Sequence, residues 1–367
     1  MVIRSKTKFL FAGKALTEKQ RKNSELNLAE IDAHETVLRS LPRRLVFELT
    51  NACNLNCVMC GRNAADFKPT FFNLDWLHYF KPLLNTVEEV TLMGWGEPTM
   101  HPNFAEMLGV IDQHNARKYF CTNGMRLHLL KDVIFKTRVD VFAVSIDGAK
   151  PETNNRIRRG SDFTKIIHSI GEIIRIKKER RLSYPWINFV FTAMKSNLHE
   201  LPDLVRLAQN TGIDEVKVVY FTAFQENLAH ETLYNCQQEV REVFEEAIAL
   251  GDQFGIQIKL PYIQGEDIAK DKEHKNCFTP WRDFFLGSDG YIRPCMSTPV
   301  QFERFDINKP FDAMWNSIHY QTYRQSVNDS IEMATACKRC YQSSFCNWNK
   351  RQTWLQMNEV FSPQWRK

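Results

Sequence analysis

Long apolar runs are missing from this chain of 367 residues. None approaches the ~18 apolar residues that a membrane-spanning helix needs. The N-terminal stretch from Met1 to Ala12 holds a few basic residues and an apolar patch shorter than the h-region of a secretory signal. A strong charge of one sign is missing too: 48 basic and 43 acidic side chains leave a net charge of +5. No long basic run occurs. The most basic stretch, Ile176 to Arg181, closes a helical pattern and reads as a solvated helix end rather than a nucleic-acid surface. Neither an internal repeat nor a low-complexity stretch is visible. These absences argue against a membrane protein and a polyanion binder. They predict a cytoplasmic protein with neither a membrane nor a nucleic-acid partner.

Cysteine is what the chain has. Eight of its ten cysteines fall into two groups, 53/57/60 and 277/295/337/340/346. Grouped thiols in a chain without a secretory signal favour metal over disulfides. Cys53, Cys57 and Cys60 have the spacing C-x3-C-x2-C and follow the strand-like run Arg44 to Leu49. Three thiolates on one short loop can hold three corners of a cubane iron–sulfur cluster, which leaves one iron open to a small molecule. Zinc competes, but it prefers four ligands and usually joins one C-x2-C pair to a distant second pair.

From Arg44 onward, strand and helix patterns alternate. Strands are expected at 44–49, 88–93, 117–121, 139–145, 186–192 and 215–221. Between them lie helical stripes such as Phe104, Met107, Leu108, Ile111 and Leu201, Leu204, Val205, Ala208. A third stripe is Phe163, Ile166, Ile167, Ile170, Ile174, and a helix from Cys236 to Phe254 follows. Six β/α units predict an α/β fold with a parallel sheet, curled by right-handed crossovers into a barrel or part of one. Thr17 to Leu41 is expected to form one or two outer helices. After residue 256 the strands shorten, Ser288 to Tyr291 reads as a hairpin turn, and Phe311 to Val327 reads as one helix with Met314, Trp315 and Ile318 inward.

The cysteine spacing resembles that of radical S-adenosylmethionine (radical SAM) enzymes. The resemblance implies a partial six-stranded (β/α)6 barrel over 43–255, behind an N-terminal helical extension at 1–42. It also implies a [4Fe–4S] cluster whose open iron binds SAM, cleaved on reduction to methionine and a 5′-deoxyadenosyl radical. Gly94-Trp95-Gly96-Glu97-Pro98 is similar to the family's Gly-Gly-Glu-Pro motif, with Trp95 in place of the first glycine. Gly96, Glu97 and Pro98 are therefore expected to hold the SAM amine, through the Glu97 carboxylate and exposed carbonyls. Thr122 and Asn123 share the same rim. Ser145 and Asp147 are carried over as ribose or methionine contacts. Arg158 is carried over as the partner of the SAM carboxylate, with Arg156 and Arg159 as alternatives. Met59 stands where the family usually has an aromatic beside the adenine. Asn188 and Tyr220 are further adenine candidates.

The second cysteine group resembles the SPASM/Twitch extension, C-x(9–15)-G-x4-C followed by C-x2-C. Here Cys277, Gly290, Cys295, Cys337 and Cys340 fit that pattern. Lys350 stands where the full two-cluster version has a cysteine four residues after the position of Cys346. The resemblance implies a small α+β iron–sulfur extension at 256–350, with a tail at 351–367. It implies one auxiliary [4Fe–4S] cluster on Cys277, Cys295, Cys337 and Cys340, with Cys346 spare or an alternative ligand; a four-thiolate zinc competes. Cys121 reads as a buried thiol or a hydrogen-atom donor, and Cys236 is unassigned.

The implied function is hydrogen abstraction from a small, carbohydrate-like metabolite or a peptide. Oxidation, rearrangement or epimerisation would follow, with a flavodoxin- or ferredoxin-type electron donor. The competing reading is a non-catalytic iron–sulfur or zinc protein on a degenerate barrel.

Overall fold

The alternation read along the chain resolves into a single sheet in a computed structural model. The structure describes residues 15–64, 68–261, 263, 277–295, 298, 300–329, 331–335 and 337. Seven strands run parallel in sequence order: β1 Arg44–Phe47, β2 Glu89–Leu92, β3 Arg117–Thr122, β4 Val141–Ser145, β5 Trp186–Ala193, β6 Glu215–Tyr220 and β7 Gln257–Lys259. β8 Asp283–Leu286 lies parallel beside β1, and β9 Ile292–Arg293 pairs antiparallel with β8. The order is β7-β6-β5-β4-β3-β2-β1-β8-β9. The first six strands end within two residues of their expected bounds. Three more join them, so the C-terminal extension continues the main sheet instead of standing apart from it.

The helices are α1 Glu18–Asp32, α2 Leu74–Phe80, α3 Phe104–Asp112, α4 Lys131–Lys136, α5 Pro151–Ile157, α6 Phe163–Glu179, α7 Leu201–Thr211, α8 Gln237–Phe254, α9 Thr279–Arg282, α10 Phe311–Trp315 and α11 Ile318–Ser326. Side chains alternate across a strand, so the two faces of the sheet can differ completely. One face carries Leu45, Phe47, Val90, Leu92, Phe120, Phe142, Phe189 and Val218, all buried in one core with the apolar stripes of α3, α6, α7 and α8. The other face is polar. It presents Arg44, Glu89, Tyr119, Cys121, Ser145, Asn188, Glu215, Lys217 and Lys259. Tyr119, Cys121, Ser145, Val190 and Lys217 on that face are only half-buried, so it lines open space while the helix-covered face is sealed.

The N-terminal segment docks by hydrogen bonds. In α1 the inward stripe is Gln20, Ser24, Asn27 and Ile31. Gln20 Nε2 donates to Val87 O at 2.8 Å, the Ser24 hydroxyl donates to Glu88, and Asn27 Nδ2 donates to Trp281 O at 2.8 Å. Polar inward residues explain why this segment shows no apolar stripe.

Phe311 to Val327 is two helices instead of the expected one. α10 stops at Asn316, whose side chain accepts from Leu38 N and donates to Leu38 O, each at 2.8 Å. That side chain is committed to the N-terminal segment, and α11 restarts after Ser317. Met314 and Trp315 are buried as expected, but Ile318 is 68% exposed.

Candidate active site

The loop bearing Cys53, Cys57 and Cys60 leaves the C-terminal end of β1, and three neighbouring turns clamp it. From the β2 turn, Glu97 N donates to Ala52 O at 2.8 Å. From the β3 turn, Asn123 Nδ2 donates to Asn54 Oδ1 at 2.8 Å and reaches Cys53 Sγ at 3.8 Å. From the end of α5 and the turn after it, Ile157 O and Arg159 O accept from Val58 N and Asn56 N, each at 2.9 Å. Gly96 makes the first clamp possible. A Cβ there would lie 2.3 Å from both Thr50 O and Ala52 O, so any side chain would push the two turns apart.

Glu97 is almost wholly buried, and its carboxylate is occupied. It accepts from Thr99 N at 3.2 Å, Thr99 Oγ1 at 2.6 Å, Thr122 Oγ1 at 2.7 Å and Asn123 N at 2.7 Å. It thereby ties the β2 turn to the β3 turn. Pro98 opens the short turn behind it. Burial pushes the Glu97 carboxyl above the ordinary range, against the pull of these four bonds.

Asp147 and Arg158 form a buried ion pair at 2.7 Å. Asp147 also accepts from Thr192 N at 2.7 Å, and Asn154 and Asn197 hold its backbone. Arg158 Nε has no hydrogen-bond partner. The guanidinium lies within electrostatic reach of Cys57, Cys121 and Cys60. Burial lifts the Cys57 thiol to about 11; Arg158 opposes the rise, and Asp147, Cys60 and Cys53 add to it. Burial also raises Cys53. Ser145 Oγ sits 3.6 Å from Cys121 Sγ across adjacent strands. Met59 packs with Ile157, Met194 and Phe221 beside the rim. Asn188 faces the polar side and donates to Glu215 at 3.2 Å. Tyr220 faces the helix side, its ring 6.2 Å from that of Phe244.

The second group converges on Tyr323. Its hydroxyl contacts Cys337 Sγ, and Cys337, Cys295 and Cys277 all raise its pKa beyond the effect of burial. Burial lifts Cys337 to about 11. Asn328 accepts from Cys277 N at 2.7 Å. Cys340 and Cys346 lie outside the described residues.

Comparison with known proteins decides what this arrangement is. Residues 47–208 match the radical SAM superfamily, and residues 277–341 match the SPASM iron–sulfur cluster-binding domain. The chain belongs to the radical SAM superfamily. It is an enzyme, and its SPASM domain covers four cysteines of the second group, Cys277, Cys295, Cys337 and Cys340, with Cys346 beyond the match. It is 25% identical over 262 residues to the tungsten-containing aldehyde ferredoxin oxidoreductase cofactor-modifying protein of Pyrococcus furiosus, covering 68% of this chain and 70% of that one. It is 25% identical over 335 residues to the AdoMet-dependent heme synthase of Methanosarcina barkeri, covering 84% and 91%. Its fold is similar to that of Streptococcus suis SuiB bound to S-adenosylmethionine, with TM-score 0.62 and 17% identity over 83% of this chain and 72% of that one.

Both sites suit the iron–sulfur and SAM cofactors that membership in the radical SAM superfamily implies. Among the described residues no three His, Cys, Asp or Glu side chains converge as they would on a single ion. A cubane does not ask for that, because each thiolate takes a different corner iron. The loop offers three thiols, and beside them sits a buried arginine nitrogen without a partner.

Sequence reasoning missed two residues of the radical SAM rim. Glu48 Oε1 accepts from Trp95 N at 2.8 Å and Oε2 accepts from Ser288 Oγ at 2.9 Å, so it joins the β2 turn to the β8 turn. Its only signal was a carboxylate at the end of an apolar strand. Phe224 is the other. Its ring meets Trp95 edge-on at 5.7 Å, and a Cβ on Gly61 would lie 2.6 Å from Phe224 and 2.8 Å from Trp95. The tryptophan that departs from the family motif thus fills space left by the glycine after Cys60.

Proposed function

We propose that this enzyme cleaves SAM reductively and removes a hydrogen atom from a small-molecule or peptide substrate, with oxidation, rearrangement or epimerisation as the outcome. A reduced cluster and SAM together supply the 5′-deoxyadenosyl radical that makes an unactivated C–H bond reactive. The chain's own work is to bind, orient and exclude water. Cys53, Cys57 and Cys60 would hold the cluster at the end of β1. Gly96, Glu97 and Pro98 would shape the amine site. With the Glu97 carboxylate engaged by four donors, backbone carbonyls of the turn would take the ammonium group. Arg158, oriented by Asp147, would present its partnerless Nε to the SAM carboxylate. Ser145, Thr122, Asn123 and Met59 would complete the nucleoside and methionine contacts.

The three-sided clamp on the cysteine loop, with Arg158 beside the thiols, carries this reading. Cys277, Cys295, Cys337 and Cys340 would hold one auxiliary [4Fe–4S] cluster, serving as an electron acceptor or relay. Residues 43–255 would form the partial barrel and 256–350 the auxiliary-cluster domain. A flavodoxin- or ferredoxin-type donor in the cytoplasm would supply the electron. Among the described residues no helix is long and apolar enough to cross a membrane. The relatives named for heme synthesis and cofactor modification support a small-molecule substrate. The fold shared with SuiB, also seen bound to the precursor peptide SuiA, supports a peptide.

Iron and sulfide content after anaerobic reconstitution tests the assignment of both clusters. The parent is expected to hold about eight irons and a Cys53/Cys57/Cys60→Ala triple variant about four, one cubane having been lost. Equal iron in both proteins would remove the first site from the reading.

A further inference from the structure

On the polar face of the sheet, Arg44 and Lys259 each have an acidic partner. Arg44 pairs with Asp283 and lies 3.8 Å from Glu89. Lys259 pairs with Glu215 at 2.6 Å. At the rim, Arg158 pairs with Asp147. On the opposite face even the fully buried Lys118 has Asp112 at 3.0 Å and Asp140 at 3.5 Å. Lys217 differs. Among the described residues no carboxylate lies within 4.0 Å of its ammonium, although it sits mid-strand on β6 and is half-buried.

Its surroundings are those of a binding site. Cross-strand register puts Ser145, Val190, Lys217 and Lys259 in one row over β4 to β7, and Cys121, one row away on β3, lies within electrostatic reach of Lys217. Ser145, Val190 and Lys217 are half-buried, so the row borders the open space that the rim residues surround. Asn188, one row below and almost fully buried, has its Oδ1 without a hydrogen-bond partner. Burial holds the Lys217 ammonium below its ordinary pKa despite Glu215, which marks a charge short of solvation. A half-buried, unpaired ammonium is costly, and an anion delivered into the cleft relieves it.

We propose that Lys217 receives a carboxylate of the substrate. This deepens the radical SAM reading and rests on it. A carboxylate brings one negative charge, and Lys217 supplies one unbalanced positive charge. A phosphate dianion would leave a negative charge uncompensated beside Glu215. Lys217 stands two strand spacings from Ser145, roughly 10 Å, which places its anion on the substrate side of the cleft and leaves the SAM carboxylate to Arg158.

The test is binding to the reconstituted protein labelled with 13Cε-lysine. The Lys217 signal is identified by its loss in Lys217→Met and, in case that variant fails to fold, in Lys217→Arg. Sodium acetate is expected to shift the Lys217 signal saturably at constant ionic strength, with and without saturating SAM, and acetamide to leave it in place. No response to acetate overturns the proposal. A tighter saturable response to inorganic phosphate overturns the choice of carboxylate. Loss of the acetate response on SAM binding assigns the site to SAM and overturns the substrate assignment. The two readings fail separately. Deoxyadenosine formation with a silent Lys217 refutes only this inference. A responsive Lys217 in a fully loaded protein that forms no deoxyadenosine refutes only the enzymatic reading.

Discussion

Arg44 and Asp283 face each other in register on β1 and β8, and their side chains pair where the C-terminal strands join the main sheet, with Arg44 Nε 3.0 Å from Asp283 Oδ1. Arg282 adds two bonds to the same carboxylate, at 2.7 and 2.9 Å. Burial alone would raise the Asp283 pKa, but Arg44 and then Arg282 hold it at about 2. A carboxyl whose pKa is lower folded than unfolded stabilises the fold above its ordinary value near 4. That contribution disappears as pH falls towards 2, and it amounts to about 2–3 kcal/mol. Urea unfolding is expected to show this acid limb, and Asp283→Asn to flatten it while lowering stability at pH 6.

Asp147→Asn leaves the buried Arg158 without its counter-charge and offers Thr192 N a weaker acceptor. Breaking a buried pair from one side costs about 3–5 kcal/mol. The melting temperature is expected to drop by several degrees, and SAM affinity, read by equilibrium dialysis on the reconstituted protein, to weaken tenfold or more. Unchanged SAM affinity would remove Asp147 from the orienting role.

Gly61→Val inserts a side chain where even a Cβ would lie under 3 Å from Trp95 and Phe224. Overpacking of this kind costs about 1–3 kcal/mol. Because Gly61 follows Cys60 directly, the displaced aromatic pair should also uncover the cluster loop. Bleaching of the iron–sulfur absorbance in air is expected to accelerate several-fold relative to the parent.

Arg324 donates to Pro280 O at 3.0 Å, Thr36 O at 2.8 Å, Asn316 Oδ1 at 3.1 Å and Trp315 O at 2.9 Å. Among the described residues no carboxylate forms an ion pair with it, and burial lowers its pKa to about 10 against the influence of Tyr320 and Glu30. It fastens the N-terminal segment to the extension. Arg324→Met strands three backbone acceptors, Pro280 O, Thr36 O and Trp315 O, and is expected to cost about 3 kcal/mol. Arg324→Lys should rescue little of that, because one ammonium cannot span the fork's reach. Hydrogen exchange at 36–41 is expected to accelerate in both variants.

The strands and helices from β1 to α8 were legible because one sheet face and the facing helix stripes are apolar at periods of 2 and 3.6, as Phe120, Phe142 and Ile166, Ile170 show. The cysteine loop was legible from spacing alone. What stayed hidden lacked either kind of signal. α1 docks through Gln20, Ser24 and Asn27 rather than through apolar side chains. β8 pairs with a strand more than two hundred residues earlier, and no local pattern reports that. The engaged state of Glu97 and the solitary state of Lys217 depend on neighbours brought by other strands. The motif alone pointed Glu97 towards a ligand, whereas its bonds go to Thr99, Thr122 and Asn123.

Reductive cleavage of SAM tests the central claim most directly. The reconstituted, anaerobic protein is given dithionite and SAM, and 5′-deoxyadenosine and methionine are quantified by mass spectrometry. The account predicts both products from the parent and neither from the Cys53/Cys57/Cys60→Ala variant. A parent protein with full iron and sulfide content that forms no deoxyadenosine, with dithionite or with a flavodoxin-type donor, would contradict it.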